Sequence, residues 1–132
     1  MYADKAEAIF AKGYNCAQAV FGAFSEEYGL GEEDAMRLAS SLGGGLGHSG
    51  EVCGALLGMA LAVGMEQGYG ADPTMDEKNA HNARVKRMMD AFREKFGETK
   101  CDALREVGNR GVCIPYVRYA AELVAGERES HG

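Results

Sequence analysis

The chain has 132 residues, a formal net charge of −6, a hydrophobic share of 46% and a charged share of 26%. This composition is typical of one folded domain with a modest core and argues against disorder over most of the length. The acidic balance disfavours partners with densely spaced phosphates, so neither nucleic acid nor an anionic membrane surface is expected to bind.

The sequence predicts neither a leader nor a membrane span. The first residues, MYADKAEAIF, lack the basic region and apolar core of a signal peptide. The longest uncharged stretch, from Val52 to Met65, is shorter than the roughly 20 apolar residues that cross a bilayer. We therefore expect a cytoplasmic location. In that reducing compartment, the four cysteines of this chain are more often metal ligands or redox-active thiols than structural disulfides.

Apolar residues recur at steps of three and four, and no segment alternates with the period of a strand. Gly13 interrupts the first helical segment, and Asn15 is a suitable N-cap for a helix that begins at Cys16. The predicted helices are a first segment around Ala6, Cys16–Gly29, Glu32–Ser41, Glu51–Gln67, Met75–Phe96, Lys100–Val107 and Ile114–Ala125. The fold is thus expected to be all-α, a compact bundle of about five to six helices. A single domain is predicted over residues 1–126, with a frayed C-terminal tail at 127–132.

Every cysteine falls within or directly before the first turn of a predicted helix. A helix N-terminus carries unpaired N–H groups and the positive end of the helix dipole, which favour an anion. The pKa of a thiol there is expected to be lowered, and the thiolate is both the nucleophile and the metal ligand. Thr99 is the expected cap of the helix that carries Cys101. The predicted redox thiols, which would also be the ligands of any metal, are Cys16, Cys53, Cys101 and Cys113.

A glycine-rich loop leads directly to Cys53 in the stretch SLGGGLGHSGEVCGALLG. Glycines permit positive φ and a close backbone approach, and such loops expose N–H groups that bind an anion or cluster sulfurs. The loop residues predicted to contact a cofactor are Gly44, Gly45, Gly47 and His48. After the loop, Gly54, Gly58 and Ala62 form a face of small residues on which another helix is expected to pack.

Several common cofactor motifs are absent from the sequence. It has no C-x-x-C pair, which disfavours a thioredoxin-type site and the usual zinc-ribbon pairing, and no C-x-x-C-H for haem attachment. The glycine loop does not match the phosphate-binding pattern G-x-x-x-x-G-K-[ST]. We therefore expect no covalent haem and no nucleotide, and any site must be assembled by tertiary contact between distant cysteines.

The order of these residues resembles the C_GCAxxG_C_C family, a bacterial family of redox-active proteins with a C…CGAxxG…C…C pattern. The matching residues are GYNCAQAV around Cys16, CGALLG from Cys53 to Gly58, and the tail that contains Cys101 and Cys113. All four cysteine positions of the family pattern are filled. The resemblance implies a small redox module, and related domains are associated with haem or iron–sulfur electron carriers.

The residues leave the mechanism open. In thiol–disulfide exchange with an unknown redox partner protein, Cys101 would pair with Cys113 and Cys16 with Cys53. Cys53 would then alkylate rapidly at a pH well below the ~8.5 of a free cysteine. Alternatively, three or four thiolates hold an iron–sulfur cluster that transfers electrons, or a structural zinc ion. A further alternative is a non-redox helical interaction module, for example a homodimer.

Overall fold

The computed structural model describes the backbone of residues 1–131 and the side chains of residues 1–128, and over this range the fold is all-α. The α-helices are α1 (Tyr2–Ala11), α2 (Cys16–Gly22), α3 (Glu32–Ala39), α4 (Gly54–Gln67), α5 (Met75–Phe96), α6 (Cys101–Leu104) and α7 (Ile114–His131). Short 3₁₀ helices lie at Ser25–Tyr28, Ser40–Leu42 and Arg110–Cys113. The predicted fold class is confirmed. The described part has seven α-helices, which correspond to the seven predicted helical segments, and the predicted interruption at Gly13 separates α1 from α2.

The start of α2 is fixed by a capping box. Gly13 has a φ of 104°, which ends the preceding helix. The Asn15 side chain accepts a hydrogen bond from the N–H of Gln18 at 2.8 Å, and the Gln18 side chain accepts one from the N–H of Asn15 at 3.0 Å. The predicted N-cap is therefore confirmed, and Cys16 is the first residue of the helix. The predicted end at Gly29 is wrong for the α-helix, because the chain tightens into a 3₁₀ helix after α2.

Helix α4 begins three residues later than predicted, with Cys53 as its N-cap. It packs closely against α2, because a Cβ on Gly58 would lie only 2.5 Å from the carbonyl oxygen of Ala17. A Cβ on Gly54 would lie 3.3 Å from the Cβ of Cys16. The predicted small-residue face is thus confirmed as the contact with α2.

Helix α6 is only one turn long, although the sequence predicts a helix from residue 100 to 107. Its N-cap is Lys100, which makes no side-chain cap hydrogen bond, so the predicted cap at Thr99 is wrong. The carboxylate of Glu98 accepts the N–H groups of both residues instead. The following residues 105–109 turn around an isolated bridge and form a loop.

The two longest helices complete the bundle. Helix α5 has the predicted bounds, with a Thr74 capping box at its start and Gly97 in the left-handed region at its end. Helix α7 continues past the predicted end into the expected tail and reaches His131, while Gly132 lies outside the described residues.

Helix α2 lies at the centre of the bundle, in contact with α1, α3, α4 and α7. Its side chains Val20 and Phe21 are fully buried, as are Leu56 and Met59 of α4 and Phe92 of α5. This core fixes the N-termini of α2 and α4 relative to α7. Among the described helices, none is long and apolar enough to cross a membrane.

Candidate functional site

A short stretch of paired backbone brings Cys53 next to Cys101. Segments 50–53 and 99–102 run antiparallel around one isolated bridge. The N–H of Cys53 donates to the carbonyl of Thr99 at 2.8 Å, and the N–H of Cys101 donates back across the pair. Residues 51 and 53 share one face of such a pair with residues 99 and 101, so the two cysteine side chains lie on the same face.

The glycine-rich loop packs directly against this backbone pair. A Cβ on Gly45 would lie 2.8 Å from the Cβ of Cys101, and one on Gly50 would lie 2.1 Å from Oδ2 of Asp102. Both glycines also have positive φ, which other residues rarely adopt. The loop glycines are therefore required for close approach to the α6 N-terminus.

The N–H groups of the loop are used internally. Those of residues 46–51 all donate to carbonyls of residues 41–46. A donor that is already paired is not available to an anion. These six amides therefore do not form the anion cradle that the sequence predicts, and the loop instead holds its own shape.

Cys16 and Cys113 come to the site from the starts of α2 and α7. Cys16 begins α2, and Cys113 ends a 3₁₀ helix directly before α7. The Cys16 and Cys113 thiols interact with each other, which raises the pKa of Cys16 and lowers the pKa of Cys113. All four cysteines are free thiols. The sequence suggests the pairs Cys16–Cys53 and Cys101–Cys113, whereas in the structure Cys16 interacts with Cys113.

The four thiols line one open cavity of about 480 Å³. Cys53 and Cys101 are buried, with 4% and 8% of their surfaces exposed, whereas Cys16 and Cys113 are half-buried. The loop of residues 105–110 forms the outer wall. Tertiary contact thus assembles one site from cysteines that the sequence separates widely.

Burial is the main cause of a raised pKa at two of the thiols, Cys53 and Cys101. Burial raises the pKa of Cys53 to about 11, even though the N–H groups of Ala55 and Leu56 stabilise its thiolate. Burial also raises the pKa of Cys101. The expectation that a helix N-terminus lowers the pKa of every cysteine is therefore wrong, because desolvation outweighs the field of the helix at these two positions.

The interaction between Cys16 and Cys113 shifts their two pKa values in opposite directions. A hydrogen bond with Cys113 raises the pKa of the Cys16 thiol, and burial adds to this effect. The same hydrogen bond stabilises a thiolate on Cys113 and lowers its pKa to about 7. The positive charges of Arg110 and Arg105 assist. Cys113 is thus the thiol most readily ionised near neutral pH.

The predicted loop residues have different places around the cavity. Gly44 and His48 contribute to its wall. Gly45 packs against Cys101, as described above, and Gly47 faces open space. The structure therefore brings three of the four predicted loop residues next to the cysteines or their cavity, all except Gly47.

Several side chains at the cavity are absent from the sequence-based prediction, among them Arg105, Arg110 and Tyr116. The Tyr116 hydroxyl donates to the carbonyl of Leu104 at 2.9 Å and ties α7 to the end of α6. Arg110 lies three residues before Cys113, and a basic side chain close to a cysteine lowers the pKa of its thiol. This short spacing is the sequence signal from which a role for Arg110 can be predicted.

Within the residues that the structure describes, no three histidine, cysteine or carboxylate side chains are grouped closely enough to hold a metal ion. The four thiols face a shared cavity rather than one common point.

Fold and site together define a class, namely small all-α proteins in which four free thiols share one cavity. The family model described as "Putative redox-active protein (C_GCAxxG_C_C)" matches residues 14–126, and the chain belongs to this family. No curated protein and no solved structure matches the chain. The family description assigns redox activity and no particular reaction.

Proposed function

We propose that the protein exchanges an electron pair with a partner protein by thiol–disulfide exchange at Cys16 and Cys113. The observation that carries this proposal is that Cys16 and Cys113 line the same open cavity, where their interaction shifts the two pKa values in opposite directions. Membership of a redox-active family supports it. We place the reaction in the cytoplasm, where a reducing pool keeps the resting thiols reduced.

The exchange takes two steps. The Cys113 thiolate attacks one sulfur of a partner disulfide, so that a mixed disulfide forms and the partner's other sulfur leaves as a thiolate. Cys16 transfers its proton to that leaving thiolate and attacks the Cys113 sulfur. The partner's second sulfur is released as a thiolate and takes a proton from water. Two thiols of this chain are thereby oxidised to a disulfide, the partner disulfide is reduced to a dithiol, and the reverse sequence returns the electrons.

The environments of the two thiols suit these separate roles. The lowered pKa of Cys113 makes it the attacking group at neutral pH. Cys16, with its raised pKa, keeps its proton until the mixed disulfide has formed. Buried Cys53 and Cys101 are less accessible to a partner.

The proposal is tested by trapping the disulfide. Reduced protein is treated with oxidised glutathione without oxygen, quenched in acid, alkylated and digested for mass spectrometry. We expect a peptide pair linked between Cys16 and Cys113. Cys16→Ser should accumulate the mixed disulfide on Cys113, and Cys113→Ser should give neither product. Cys53→Ser removes a thiol that the proposal does not use and should still yield the link; a wild-type protein without the link would refute the proposal.

A second candidate is a thiolate-held iron–sulfur cluster, favoured by the presence of all four thiols on one cavity. Cysteine thiolates are the usual ligands of such clusters, which transfer single electrons. Protein purified without oxygen would then absorb between about 300 and 600 nm and contain matching iron and sulfide. A chelator would lower the melting temperature if iron or zinc were bound. Colourless, metal-free protein that also forms no disulfide would favour a non-redox interaction module, such as a homodimer.

A further inference from the structure

Arg110 joins the two segments that carry the interacting thiols. It begins the 3₁₀ helix that ends at Cys113. Its Nη1 donates to the carbonyl of Phe10 at 2.7 Å, and its Nη2 donates to the carbonyl of Tyr14, two residues before Cys16. The guanidinium carbon lies 3.6 Å from the centroid of the Phe10 ring.

These contacts hold the guanidinium in one orientation. The carbonyl and ring of Phe10 lie at the end of α1, and the carbonyl of Tyr14 lies on the connection to α2, so the guanidinium is held by residues 100 and 96 positions away along the chain. Both carbonyl acceptors are neutral, so the hydrogen bonds do not cancel the positive charge beside Cys113. A planar fork with donors in fixed directions is the feature that distinguishes arginine from lysine in such a place.

We propose that Arg110 is a positioning residue of the redox site, which sets the approach of the Cys16 and Cys113 sulfurs by clamping the segment before α2 to the segment before α7. This inference rests on the proposed thiol–disulfide function. Once Cys113 carries a mixed disulfide, the rate of the second step depends on the effective concentration of the Cys16 sulfur at the Cys113 sulfur. Release of the clamp widens the range of sulfur separations and lowers that concentration.

The test measures the equilibrium between the dithiol and the Cys16–Cys113 disulfide in buffers of defined reduced-to-oxidised dithiothreitol ratio. We expect Arg110→Gln to lower the equilibrium constant for disulfide formation about tenfold, which is about 30 mV for a two-electron couple. Arg110→Lys keeps the charge without the fork, and its value should lie closer to that of Arg110→Gln than to the wild type.

Arg105 provides the matched control, because it also lines the cavity but pairs with Asp102 at 2.9 Å. Arg105→Gln removes a similar charge without releasing the clamp, so its effect should be smaller. Circular dichroism establishes that each variant is folded at the assay temperature, and Arg110→Lys carries the test if Arg110→Gln does not fold.

The outcomes separate the inference from the function on which it rests. A wild-type protein that forms no Cys16–Cys113 disulfide overturns both. A wild-type protein that forms it, with an unchanged equilibrium constant in Arg110→Gln, overturns the positioning role alone. Full recovery in Arg110→Lys shows that the guanidinium fork is not needed, and an equal loss in Arg105→Gln shows that the loss is not specific to Arg110; either result also overturns the clamp.

Discussion

The hydrogen-bond partner and the burial of each cysteine set its reactivity more strongly than its place at a helix terminus. A helix dipole contributes about 0.3–1 kcal/mol at an exposed terminus, whereas one pKa unit corresponds to about 1.4 kcal/mol and full burial shifts a pKa by several units. Cys53 shows the balance, because its pKa is raised to about 11 despite its position as an N-cap. The pKa of Cys113 is lowered to about 7, because a hydrogen bond with the neighbouring Cys16 thiol stabilises its thiolate.

This difference predicts which thiol reacts first with an alkylating reagent. Because the thiolate is the reactive form, Cys113 should be modified first near neutral pH, with a rate that rises around pH 7 and then levels off. Cys53 should stay slow up to about pH 9, since its pKa lies near 11 and its surface is buried. Short iodoacetamide pulses between about pH 5 and pH 9, with peptide mass spectrometry, measure both rates.

The control for this prediction is the donor itself. Cys16→Ala removes the hydrogen bond, so the pKa of Cys113 should rise and the pH profile should move upward. Cys16→Ser keeps a hydroxyl donor and should retain more of the wild-type profile. Modification of Cys53 ahead of Cys113 would contradict the assignment.

At the scale of the elements, the close contact of α4 with α2 depends on glycine. A methyl group at Gly58 would lie 2.5 Å from a carbonyl oxygen and 2.9 Å from the Cα of Ala17, both of which are backbone atoms that cannot move alone. The two helices, whose N-termini carry Cys16 and Cys53, would have to separate. The position of the thiols therefore depends on this contact.

We expect Gly58→Ala to lower the free energy of unfolding by about 1–3 kcal/mol, the usual cost of overpacking. Gly64→Ala is the matched control, because Gly64 lies in the same helix, is exposed and has open space at its Cβ position. That substitution should stabilise the protein by up to about 1 kcal/mol through helix propensity. Urea denaturation of the reduced proteins measures both changes, and equal stability of the two variants would be inconsistent with the packing.

Local signals in the sequence predict the helices well where caps and periodicity agree. The bounds of α5 and the cap at Asn15 follow from such signals. The start of α4 and the short α6 do not, because segments 50–53 and 99–102 pair with each other and this pairing has no local signature. For the same reason, the sequence identifies the four cysteines but not which two interact.

At the scale of the whole molecule, one largely buried carboxylate links four helical elements of the bundle. Glu66 of α4 accepts hydrogen bonds from the Tyr28 hydroxyl at 2.5 Å and Arg84 Nη2 of α5 at 2.9 Å, and Arg128 Nε of α7 lies 2.8 Å away. The side chains of Arg84 and Glu66 are only 6% and 11% exposed. Burial, together with the hydrogen bond to Glu66, raises the pKa of Tyr28, so it remains a donor.

Loss of the charge on Glu66 should therefore destabilise the whole bundle. In Glu66→Gln, the buried guanidinium of Arg84 loses its carboxylate, and removal of one partner of a buried pair costs about 3–5 kcal/mol. Asp90→Asn removes the partner of Lys86 in an exposed pair, where the side chains are 51% and 75% exposed, and should leave the stability almost unchanged. Replacing Glu66 and Arg84 together by methionine should be less destabilising than Glu66→Gln, because no uncompensated charge is then buried at that pair. Thermal and urea unfolding of the reduced proteins measure these differences, and a Glu66→Gln variant as stable as Asp90→Asn would show that the network does not hold the bundle together.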